Sequence, residues 1–155
     1  MARIYPPIGS ISEGTMRPED LIPAFMDVIR EYAPASALAI GALDDFPVEL
    51  EDGDYPDALA ALGFVDFLCN ELDALSAPYT YFGVEDQDGA CFGFWPAIDS
   101  MEEDARCGDE VIKVNAGDQW PSPLPDSVNY IMEVNDHGNV SLYDAHTLEW
   151  IWDCV

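Results

Sequence analysis

Carboxylates are the residues with which this chain could do chemistry. Glu49–Asp57 reads ELEDGDYPD, five acids in nine residues. Such a cluster holds a divalent cation when oxygen ligands alternate along a tight loop that turns at Gly. Neither EDGD (51–54) nor EDQDG (85–89) has that alternation, because Leu50 and Val84 fall where a first or third ligand belongs. His137 and His146 stand apart from Cys69, Cys91, Cys107 and Cys154, and none of the six has the close pairing of a zinc site. No segment around a cysteine builds an activated nucleophile, and no Gly-rich loop cradles a phosphate. Two carboxylates working as acid and base would have to face each other across a cleft, which no spacing here dictates. The reading is therefore no catalytic residue, no cofactor and no metal.

What remains is charge. Thirty-one acids face five bases (Arg3, Arg17, Arg30, Arg106 and Lys113), for a net charge of −26. No Lys or Arg lies between Glu31 and Asp104. Like charges on a compact body repel, so this balance destabilises the fold while keeping it dispersed. Yet 49% of the chain is hydrophobic, which separates it from an acidic disordered tail. Nucleic acid and anionic membrane are excluded as direct partners by sign alone. No stretch reaches the roughly 18 apolar residues of a membrane span, and ARIYPPIGS carries no apolar signal core. Reduced thiols in the cytoplasm are the expectation.

The elements that position the acids follow from periodicity. One globular domain is expected, with residues 1–15, rich in Pro, Gly and Ser, as an irregular arm. Pro18, Glu19 and Asp20 open a helix over 18–32, with Leu21, Ile22, Phe25, Met26, Ile29 and Tyr32 as its buried stripe. SALAIGAL (36–43) reads as a short helix, and Asp54 as the N-cap of a second long helix over 56–75. That helix buries Leu62, Val65, Leu68, Cys69, Leu72 and Leu75 in this reading. After Pro78 the period changes to that of strands. YTYFGV and ACFGFW form a hairpin turning at Asp88-Gly89, VIKV is a further strand, and VNYIMEV, NVSLYD and TLEWIWDC form a meander. Leu148, Trp150 and Trp152 should point inward from the last strand. The fold class is α+β: N-terminal helices packed on a C-terminal antiparallel sheet of about five strands.

Both long helices then carry apolar insides and acidic outsides. Asp20, Asp27 and Glu31 form one row, and Asp66 and Asp73 a second. Asp44, Asp45, Glu49, Glu51 and Asp52 add loop acids, and Glu102, Glu103 and Asp104 a further group. Duplex DNA carries one charge per roughly 1.7 Å of axis. Carboxylates three or four apart on a helix stand about 5–6 Å apart at Cβ, a comparable pitch. These acids are the candidate contacts for a basic nucleic-acid-binding protein or complex. Trp120, in the proline-rich QWPSPLPD loop, is the candidate exposed anchor for a partner or a second copy of the chain.

In size and charge the chain is similar to the DNA-mimicking anti-restriction and anti-CRISPR proteins of phages and plasmids. GTMRPEDLIPAF, YFGVEDQDGACFGFWP and VNDHGNVSLY resemble segments of small acidic proteins carried by phages and mobile elements. The resemblance implies a non-enzymatic inhibitor acting in the host cytoplasm on a defence complex. Two other readings fit the charge: an immunity-type protein that neutralises a cationic nuclease, and halophilic adaptation, for which the single lysine speaks.

Overall fold

A computed structural model describes residues 3–42, 47, 49, 50 and 52–155. Its elements run β1 (Gly9–Ser12), α1 (Pro18–Tyr32), α2 (Ala58–Asp73), β2 (Thr80–Glu85), β3 (Asp88–Pro96), α3 (Ile98–Cys107), β4 (Val111–Asn115), β5 (Tyr130–Val134), β6 (Val140–Asp144) and β7 (Trp150–Cys154). The class is α+β. The arrangement differs from the one expected, because a third helix follows β3 and the strands form two sheets, β1-β3-β2 and β4-β5-β6-β7. Two compact units result: Met1–Ser76 with Tyr81–Trp95, and Ala77–Thr80 with Pro96–Val155.

In the first unit α1 begins at Pro18, where a missing N–H costs nothing, and Glu19 and Asp20 meet the positive end of its dipole. It runs unbroken through Pro23 to Tyr32 and buries Leu21, Ile22, Phe25, Met26, Val28 and Ile29. Asp57, rather than Asp54, caps α2, its carboxylate accepting from the Ala60 N–H at 3.0 Å. The helix buries Ala61, Phe64, Val65, Leu68 and Leu72. Phe25 sits at the centre of the core, edge-on to Phe82 at 5.1 Å and to Phe92 at 5.5 Å between ring centroids.

Three local expectations change in this unit. Residues 36–41 form hydrogen-bonded turns instead of a helix, ending on Gly41 in the left-handed region; Leu43 lies outside the described residues. The hairpin turns at Asp86-Gln87, two residues earlier than Asp88-Gly89. The stretch expected to be irregular contains β1, which pairs antiparallel with β3, Ser10 opposite Gly93. Only glycine permits that approach: a Cβ on Gly93 would lie 2.8 Å from both the Gly9 carbonyl carbon and the Ser10 Cα.

In the second unit β4 and β5 pair in parallel, Val111 opposite Tyr130. The proline-bearing loop between them carries the chain back to the same end of the sheet, so an antiparallel partner is not available there. β5, β6 and β7 are antiparallel, as expected of a meander. Met132, Leu142 and Trp152 lie opposite one another across these three strands and are buried. The register shifts between Leu142 and Tyr143, so Tyr143 faces Trp150. That bulge, with Leu148 in the left-handed region at φ 61°, breaks the expected alternation. Leu148 and Trp150 are exposed, and Trp152 alone of the three points inward, its indole N–H donating to the Pro78 carbonyl at 2.8 Å.

Candidate functional site

The acids of the first unit stand where the helices put them. α1 turns its apolar stripe to the core, which leaves Asp20, Asp27 and Glu31 exposed on the opposite side. Asp20 accepts from the Thr15 hydroxyl at 2.7 Å, and Asp27 is paired with Arg30 at 3.1 Å. Pairs this exposed contribute between nothing and about 1 kcal/mol and leave the carboxylate open to solvent. Glu31 has no ion pair among the described residues, and its charge helps burial push the neighbouring Tyr32 phenol upward in pKa. Glu49 and Asp52 are exposed, whereas Asp44, Asp45 and Glu51 lie outside the described residues.

α2 carries Asp66, Glu71 and Asp73, and among the described residues none of them meets a base. Asp66 and Glu71 face solvent. Asp73 has a local task, accepting from the Phe82 N–H at 2.9 Å and so tying the helix end to β2. Arg17 is held by Glu19, and the charges of Asp20 and Asp54 act on it as well. Tyr55 registers the same field, since burial first, and then Glu49 and Glu19, raise its phenol pKa.

The group in the second unit is engaged internally instead of free. Glu102 accepts from Lys113 at 2.9 Å and Glu103 from Arg106 at 2.8 Å; the Lys113 ammonium holds the Glu102 carboxyl below the usual carboxylate range. Asp104 accepts from the Tyr79 hydroxyl at 2.6 Å. Trp120 is half-buried, edge-on to Tyr143 at 4.9 Å, with its indole N–H donating to Glu133 at 3.3 Å. It belongs to a small cluster with Val114, Val128, Ile131 and Ala145. The expectation of an exposed Trp120 gives way because the proline-rich loop folds back on the sheet. Trp150, 58% exposed, is the tryptophan that faces solvent.

Sequence periodicity missed a second feature of α2. Leu62, assigned above to the core, is 49% exposed, and beside it stand Leu59 at 82% and Phe67 at 38%. Leu62 stands three residues from Leu59, and Gly63 four from both Leu59 and Phe67, so these side chains form one broad exposed stripe on the side of the helix away from the buried Leu68. Gly63 lies among them, and a Cβ built there would have nothing within 4 Å. The signal was available: ALAALGFVDFLC is apolar on more sides than one neighbour can cover. At the start of the stripe a pocket of about 300 Å³ opens between Pro18, Ala58 and Leu62, rimmed by Glu19, Asp54 and Tyr55.

Among the described residues, no group of three or more His, Cys, Asp or Glu is placed to hold a metal ion. Nor is any helix there long and apolar enough to cross a membrane. No protein-family model, curated protein or solved structure matches this chain.

Proposed function

We propose that this protein is a non-enzymatic inhibitor that binds the basic nucleic-acid-binding surface of a host defence complex, of the anti-CRISPR or anti-restriction kind, by imitating DNA. One observation carries the reading. The solvent faces of α1 and α2 bear acids at helical spacing, and among the described residues no base neutralises any acid of α2. Cationic sites built for a polyanion hold arrays of Lys and Arg that such rows engage electrostatically. Association is then steered and falls steeply with salt.

The contact acids are Asp20, Asp27, Glu31, Glu49, Asp52 and Asp66, with Asp73 contributing charge while it holds Phe82. The acids of α3 play a smaller part, because their carboxylates already meet Lys113, Arg106 and Tyr79. Neutralising Asp20, Glu31 and Asp66 one by one should weaken binding to the captured complex gradually, each step also lowering the salt slope. An immunity-type inhibitor of a cationic nuclease is the second reading, favoured by the exposed stripe of Leu59, Leu62 and Phe67. There, affinity would collapse on one apolar substitution and respond little to the acid series.

A further inference from the structure

We infer that the solvent face of α2 from Leu59 to Phe67, together with the pocket beside it, docks an amphipathic basic helix of the partner. The inference rests on the cationic-partner reading above and adds what the partner's contact element must be. Leu59, Leu62 and Phe67 form an exposed apolar stripe, with Gly63 leaving a shallow hole between them. Leu59 to Leu62 is a step of three, and Leu59, Gly63 and Phe67 follow in steps of four, so a helix whose apolar anchors recur every three and four residues can lie across them, one anchor entering the hole at Gly63.

Charge selects this occupant over the others. A second copy would bring a net charge of −26 against a net charge of −26. A neutral apolar helix would desolvate Asp54, Asp57, Asp66 and Glu71 with nothing to compensate them. A purely basic chain would leave the stripe in water. A helix with one apolar face and Lys or Arg on its flanks satisfies both features.

The pocket suits one of those flanking side chains. Pro18, Ala58 and Leu62 line a passage for an aliphatic stem, and Asp54 on the rim meets the cationic head. Glu19 is less free because Arg17 holds it. The start of α2 is the positive end of its dipole, which opposes a cation there. The Asp57 carboxylate, bonded to the Ala60 N–H, offsets that end. The local balance stays negative, with Arg17 alone among Glu19, Asp20, Asp54 and Asp57.

The test uses the full chain and three synthetic peptides of about 15 residues, long enough to sustain a helix. One is a Leu/Lys peptide patterned to give a single apolar face, one its shuffled isomer, and one oligolysine. Fluorescence anisotropy at low and high salt should show the patterned peptide binding about tenfold tighter than the isomer. Leu59→Ser with Phe67→Ser should erase that preference while leaving oligolysine binding unchanged. Gly63→Arg should erase the preference too, while its added cation also weakens oligolysine binding; arginine favours a helix more than glycine does, so loss of folding would not explain the result. Val84→Ser, at an apolar residue exposed on β2, should have no effect. Equal affinity for patterned and shuffled peptides, or a preference that survives both α2 variants, overturns the docking site and leaves the cationic-partner reading standing. Failure of all three peptides to bind at low salt overturns that reading itself. A dimer in sedimentation that Gly63→Arg dissolves would assign the stripe to a second copy and refute the inference.

Discussion

Replacing Gly93 by Ala tests whether the N-terminal strand is seated as described. The added methyl would lie 2.8 Å from the Gly9 carbonyl carbon and from the Ser10 Cα, closer still to the Gly9 carbonyl oxygen, and all three are backbone atoms. Non-bonded carbons rest at about 3.5–4.0 Å, so β1 must retreat by roughly 1 Å where Ser10 faces Gly93. A rotamer change relieves nothing, because no side chain is involved. Overpacking of this kind costs about 1–3 kcal/mol, and weakening one or two ladder hydrogen bonds adds about 1 kcal/mol each. The sum is about 2–5 kcal/mol, a fall in Tm of roughly 5–15 °C for a chain of this size. Thermal melting by circular dichroism reads the change, and hydrogen exchange at Gly9–Ser12 should quicken before the rest of the sheet. Gly63→Ala is the control: a Cβ there meets nothing within 4 Å, and Ala in a helix interior should raise stability by about 0.5–1 kcal/mol. A Gly93→Ala protein that melts within about 1 °C of the parent would refute the β1–β3 pairing.

Other consequences can be measured on the same protein. Asp57→Ala removes the α2 cap and should cost about 1 kcal/mol in denaturant unfolding, whereas Asp54→Ala, which caps nothing, should cost little. Asp144 accepts from the backbone of His146 and Thr147 at 2.8 Å each, and the Thr147 bond leads in drawing its carboxyl below the usual range. A lowered carboxyl stabilises the fold above its unfolded pKa and loses that contribution as pH falls through the folded one. The stability gap between the parent and Asp144→Asn should therefore be full at neutral pH and close below about pH 4. Burial pushes the Cys69 thiol up to about 11, with the Asp66 charge adding to it, while Cys107 is exposed at the end of α3. Mass spectrometry during alkylation at mildly alkaline pH should find Cys107 modified well before Cys69.

Where one face of an element is buried and the other solvated, the sequence announced it. The stripe of α1, the strand segments after Pro78 and the antiparallel β5-β6-β7 meander all follow from spacing alone. The features that escaped depend on distant partners. β1 is four residues whose pairing is made possible by a glycine more than eighty positions later. The parallel β4–β5 pair depends on the path of the loop between them, which prolines constrain without specifying. The Tyr143–Trp150 register comes from a bulge that alternation does not signal. Among the candidate contacts, the exposed acids of α1 and α2 were legible because helical spacing sets their direction. The engagement of Glu102, Glu103 and Asp104 was not, since Lys113 and Tyr79 reach them only in the fold. α2 differs for another reason: a helix apolar on several sides does not declare which side is covered, and Leu62 stands on an open one.

On the function proposed above, this anionic body occupies a site made for nucleic acid. The most direct measurement captures the host defence complex from lysate on immobilised protein and then titrates the purified pair with the complex's own DNA at two salt concentrations. Mutually exclusive binding is expected: each ligand displaces the other, and both affinities fall with salt along similar slopes. A complex that binds its DNA with unchanged affinity while still holding this protein would contradict it.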